Sequence, residues 1–163
     1  MKTINVKLDP SSIDNAIKEL EDYKEALLKK VKLFVNALAQ DGISVANARL
    51  ASTYGDSTNG SIGFGLDDAG NIVSATISLD GSDALFIEFG SGIVFNAETH
   101  PLAGKFGYGP GTYPGQTHVP VPGYWYYGGG KLSVGTGASM PMYKAAETMR
   151  NNAIMRASEI FRS

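Results

Sequence analysis

At 163 residues, 43% of them hydrophobic, the chain has the size and apolar content of one domain with its own core. A formal net charge of −2 excludes the basic field on which non-specific phosphate binding depends, which disfavours direct nucleic-acid binding. The absence of cysteine excludes disulfides, thiolate nucleophiles and thiolate metal sites, and fits folding in a reducing cytosol.

In chain order, Ile4, Val6 and Leu8 alternate with polar neighbours and predict a short edge strand stopped by Asp9-Pro10. The N-terminus lacks the apolar core of a secretion signal, and no stretch approaches the ~18 apolar residues of a membrane span, so a soluble protein without a cleaved signal is expected. Ser11 or Ser12 then caps a predicted helix to Asp41, with Gly42 as its C′ residue. Its apolar positions Ile13, Ile17, Leu20, Leu27, Val31, Phe34 and Leu38 recur at helical spacing, with Lys24 as the one interruption. Acidic early turns and Lys29, Lys30 and Lys32 later match the helix dipole. Such a helix spans roughly 45 Å at 1.5 Å per residue, more than a compact domain of this size needs. Its seam therefore covers either a neighbouring subunit or a sheet and second helix of its own monomer.

Residues 43–51 predict a shorter helical piece, and 54–60 a loop. Ser61 to Leu66 is a predicted strand, Asp67 to Gly70 its turn, and Val73, Ala75, Ile77 and Leu79 form one face of the next strand. Leu85, Ile87 and Phe89 alternate with Phe86 and Glu88, which predicts a third strand with Glu88 on its exposed face, ending at Gly90-Ser91-Gly92. The expected sheet is an antiparallel meander of about three strands, joined by the N-terminal one and closed by the long helix.

From Phe95 to Gly137 the composition shifts to glycine, proline and tyrosine, with the only Trp and both histidines. Residues 94–138 are read as one long loop insertion, with a short strand at Lys131 to Val134. Its aromatic run Tyr124, Trp125, Tyr126 and Tyr127 is poor in interleaved cations and suits a protein interface better than base stacking. Ser139 caps the last helix, which has Pro141 in its first turn and a small, Met-rich apolar face from Met142 to Phe161. The predicted fold is α+β: N- and C-terminal helices on a small antiparallel sheet, in one domain spanning 1–163.

Motifs for chemistry are poor matches. Gly128-Gly-Gly-Lys-Leu-Ser lacks the leading glycine and the hydroxyl after lysine that a phosphate loop needs. Phe89-Gly-Ser-Gly lacks the first glycine of a nucleophile elbow. Glu98, His100 and His118 match no known metal-ligand spacing, and the two His-x-Pro or His-Pro contexts suit loop histidines bonded to backbone. Glu88 has no obvious carboxylate partner for acid-base work. No catalytic residue, metal or cofactor is assigned.

Three features resemble the siphophage head-tail connector and tail-completion family, the minor tail components: the long N-terminal helix, Leu85-Phe-Ile-Glu-Phe-Gly-Ser-Gly92, and Pro141-Met-Tyr-Lys-Ala-Ala146. Many members join these two motifs by a brief loop, whereas this chain inserts residues 94–138. The resemblance implies a non-enzymatic virion protein at the head-tail junction, made in the host cytoplasm. It implies an oligomeric ring contacting connector and tail terminator or tube proteins, with no membrane contact and DNA passing through at most non-specifically. Interface candidates are Glu88, Phe89, Gly90, Ser91, Gly92, Tyr124, Trp125, Tyr126, Tyr127 and Met142, with Glu88 expected to bond loop amides or a neighbour's cation. The rival reading is a small hydrolase or ligand-binding module at the loop mouth around Glu88, His100 and His118.

Overall fold

A computed structural model describes residues 6–54, 59–70, 72–91, 99–108, 124–127, 131–133 and 135–162. The elements in order are α1 (Pro10–Tyr54), β1 (Ser61–Ala69), β2 (Ile72–Asp80), α2 (Ala84–Phe89), α3 (Ala103–Phe106), β3 (Trp125–Tyr127), β4 (Lys131–Ser133) and α4 (Pro141–Phe161). The architecture is α+β: helices with two separate two-stranded antiparallel sheets, β1-β2 and β3-β4.

Asp9-Pro10 opens the long helix rather than closing a strand. The Ser12 amide donates to the Asp9 carboxylate at 2.9 Å and the Ile13 amide to the Asp9 carbonyl at 3.2 Å, so Asp9 is the N-cap and Pro10 takes the first helical position. Residues 6–8 are irregular, which removes the described half of the expected N-terminal strand; Ile4 lies outside the described residues.

α1 runs on through Gly42 and absorbs the predicted second piece, for 45 residues and a length of roughly 67 Å. Gly42 is a crossing point and not a C′ residue: a Cβ there would lie 2.8 Å from both Ile77 Cδ1 and Met149 Sδ. The absent side chain lets α1, β2 and α4 converge. α4 runs antiparallel to α1. Phe161 meets Phe34 edge-on at 5.9 Å, Asn152 and Arg156 reach Asp41, and the Ser139 hydroxyl donates to the Arg49 carbonyl at 2.8 Å.

The β1-β2 hairpin pairs Ser61 with Asp80 through Ala69 with Ile72, so the strand continues past the predicted turn at Asp67 and Asp68. Val73, Ala75, Ile77 and Leu79 are the half-buried face of β2, as their alternation requires, and Lys32 of α1 pairs with Asp68. The expected third strand is absent, because residues 84–89 form α2. Ile87, Glu88 and Phe89 are buried in succession there, and a segment of six residues is too short for its period to separate helix from strand. Within 94–138, the described residues hold α3 and the β3-β4 hairpin.

The α1–α4 contact is tied by one ionic cluster. Asp41 Oδ1 accepts from Arg156 Nη2 at 2.7 Å, and Oδ2 accepts from Arg156 Nε at 3.0 Å and from Asn152 at 2.9 Å. The Arg156 hydrogen bonds first, then that of Asn152, hold the Asp41 carboxyl below its ordinary value. A depressed carboxyl stabilises the fold above its unfolded pKa, and that contribution disappears as pH falls through the folded value, below about pH 4. Asp41→Asn is expected to cost about 1 kcal/mol at pH 7, a magnitude tempered by solvent screening, and less at pH 3. Urea denaturation of both proteins at the two pH values checks this; a difference independent of pH would contradict it.

Candidate functional site

The residues singled out around Gly90 meet at the N-terminus of α4. That helix begins without a side-chain cap: Met140 is its N-cap residue in a left-handed conformation (φ 54°), with Pro141 next. Pro141 has no N–H to satisfy, which leaves the amides of Met142 and Tyr143 as the first that need acceptors. Glu88 supplies both. Its Oε2 accepts from the Met142 amide at 2.9 Å and its Oε1 from the Tyr143 amide at 2.9 Å. A carboxylate on α2 thus caps α4 from 54 positions away, on the end where the helix dipole favours negative charge.

Glu88 Oε1 also faces His100 Nε2 at 3.1 Å, while His100 Nδ1 accepts from the Leu102 amide at 3.0 Å. An Nδ1 that accepts carries no proton, so His100 is neutral with its proton on Nε2, donated to Glu88. The contact is a hydrogen bond between a neutral ring and a carboxylate, not a salt bridge. His100 is 3% and Glu88 8% exposed, so water does not compete for these partners.

Aromatic rings wall the node. Phe89 lies 4.3 Å from the His100 ring, 5.3 Å from Tyr108 and 6.1 Å from Phe106, and Tyr143 covers His100 edge-on at 5.1 Å. A backbone strap closes it. Ser91 and Thr136 exchange N–H to carbonyl bonds at 2.8 and 3.0 Å, and the Ser139 amide donates to the Ile87 carbonyl at 2.9 Å. Gly90, at φ 78°, makes the turn between α2 and this strap.

Glu88 is therefore a buried capping group, where the strand reading placed it on an exposed face; the helix turns it inward. Phe89 and Ser91 are buried with it. Met142 is half-buried, and Tyr124 is 39% exposed. Gly92, Glu98 and His118 lie outside the described residues, as do the side chains of Trp125, Tyr126 and Tyr127. Among the described residues no group of three His, Cys, Asp or Glu side chains could hold a metal, and no helix is long and apolar enough to cross a membrane. The sequence brings Glu88 and His100 together only under the hydrolase or ligand-module reading; the capping of α4 by Glu88 is the contact it does not show. Ser139, expected to cap α4, instead donates its hydroxyl to the Arg49 carbonyl, and with Met140 at the N-cap position the helix takes its acceptor from Glu88.

A second feature is an apolar groove of about 410 Å³ between α1, β2 and α4, lined by Leu38, Val73, Ile77, Met142, Ala146 and Met149 among others. Compared with protein-family models, curated proteins and solved structures, the chain matches none.

Proposed function

We propose that the protein is a structural component of a siphophage head-tail junction: a tail-completion or neck subunit that assembles as a ring between connector and tail tube and surrounds the DNA passage. The observation that carries this reading is the meeting of the two motifs behind the family resemblance. Glu88-Phe-Gly-Ser and Pro141-Met-Tyr-Lys-Ala-Ala are one physical unit here, carboxylate and helix N-terminus. A motif pair with a packing purpose suits a scaffold shared among assembly subunits. The reading includes no catalysis and no cofactor, and it takes the 94–138 insertion as added contact surface within a single domain.

The hydrolase or ligand-module rival needs Glu88 and His100 to offer a free lone pair or proton to a substrate. Both Glu88 oxygens and both His100 ring nitrogens are engaged inside the subunit, which favours the structural reading.

Interrupting the coding sequence in the phage that carries it should leave filled heads and finished tails unjoined in electron micrographs, with infectious titre lost. Complete virions in normal number would overturn the proposal.

A further inference from the structure

Three positions place an acid or its amide directly before glycine: Asp41-Gly42, Asn59-Gly60 and Asp80-Gly81. With no side chain on the second residue, its backbone nitrogen can approach the carbonyl carbon of the side chain before it. The structure treats the three differently. Asp41 lies inside α1, where the Gly42 N–H belongs to the helix ladder, and its two carboxylate oxygens are held by Arg156 and Asn152. Asp80 is the last residue of β2 and accepts from the Ser78 hydroxyl at 2.7 Å. As carboxylates, both are also poorer electrophiles than an amide.

Asn59 has neither protection. It is the only asparagine followed by glycine, its side chain is exposed, and with Gly60 it stands just before the first paired residue of β1, Ser61 opposite Asp80. Every other described asparagine lies inside α1 or α4. The position also closes the open end of the hairpin. The Asn59 amide donates to Asp83 Oδ2 at 3.4 Å, and the Asn59 carbonyl oxygen occupies the space that a Cβ on Gly81 would need.

We propose that Asn59 is a site of spontaneous covalent modification that loosens this closure. The Gly60 nitrogen gives up its proton and bonds to the Asn59 side-chain carbonyl carbon, the side-chain nitrogen leaves as ammonia, and a succinimide ring remains. Water then adds to either ring carbonyl and opens it to aspartate or isoaspartate. No oxidant, cofactor or enzyme enters the balance, in keeping with asparagine being among the thermolabile residues. Either product adds a negative charge, to a chain whose formal net charge is already −2, close to the Asp83 carboxylate. Isoaspartate also routes the backbone through the former side chain, adding a carbon to the main chain where the Asn59 carbonyl must fit against Gly81. The proposal is independent of the neck reading.

Full-length folded protein, held in mildly alkaline buffer that favours loss of the Gly60 proton, tests this by peptide mapping with mass spectrometry. The peptide holding Asn59 should split into aspartate and isoaspartate forms, isoaspartate in excess, while Asp41 and Asp80 stay unchanged. Gly60→Ala should slow the conversion about tenfold, because the added methyl group hinders the attacking nitrogen. In the isoaspartate fraction, separated by ion exchange, hydrogen exchange at Ser61 and Gly81 should rise about tenfold, with Met142 and Tyr143 unaffected. An Asn59 that stays intact in the folded protein would overturn the proposal, and conversion in urea alone would show that the fold shields it. Faster isomerisation at Asp41 or Asp80 would overturn the assignment to Asn59, and unchanged exchange at Ser61 and Gly81 would overturn the loosening.

Discussion

Glu88→Ala is expected to lower the unfolding free energy by about 3–5 kcal/mol, because it leaves several buried donors without an acceptor. The Met142 and Tyr143 amides and the His100 Nε2–H all point at this one carboxylate. Against a total stability of about 5–15 kcal/mol for a domain, that loss is large enough to leave a sizeable unfolded fraction. Glu88→Gln should not restore it fully. The amide keeps one acceptor oxygen but turns an NH2 toward a backbone N–H, donor against donor. Urea unfolding measures the loss, and hydrogen exchange locates it: the amides of Leu102, Met142 and Tyr143 should lose protection together. A wild-type urea midpoint in Glu88→Ala would refute the capping role.

Gly90→Ala should cost roughly 3 kcal/mol or more, through backbone strain and a clash acting at the same atom. At φ 78° and ψ 169°, Gly90 occupies a region that side chains other than hydrogen rarely enter. A Cβ would also sit 2.8 Å from the Ala138 amide nitrogen, 3.0 Å from the Thr136 carbonyl oxygen and 3.2 Å from the Gly137 carbonyl carbon. All three are backbone atoms and none can rotate aside. Relief requires the strap to move off α2, which breaks the Ser91–Thr136 bridge and loosens the approach to Met140. Far-UV circular dichroism of the folded variant should still report α1 and α4, while exchange at Ser91, Thr136 and Ser139 rises. Unchanged stability together with unchanged exchange at these three amides would refute this account of the turn.

Both substitutions act on a node that joins three segments remote in sequence. The histidine, the carboxylate, the proline and the two motifs are each legible in the sequence. The contact of Glu88 with the start of α4 is not, since nothing local in Glu88 states that those partners lie 54 and 55 positions on.

What the sequence by itself determined is what repeats along the chain. The spacing of Ile13 through Leu38 makes a helix, the alternation Val73-Ala75-Ile77-Leu79 makes a half-buried strand, and Pro141 opens a helix with a small Met-rich face. Periodicity is a local property, and backbone geometry reads it directly. Only the tertiary structure decided the rest. Gly42 continues a helix it was expected to end, because the space its Cβ would fill belongs to Ile77 and Met149. Residues 84–89 became α2 because Ile87, Glu88 and Phe89 are all buried, and a helix lets Glu88 reach the α4 amides while its neighbours enter the core. The seam of α1 divided between two fates, its later part under α4 and β2 and its earlier part exposed, because α4 is only 21 residues long and α1 is 45. A helix shows its apolar face in its own residues, but the length of what covers that face is written elsewhere in the chain.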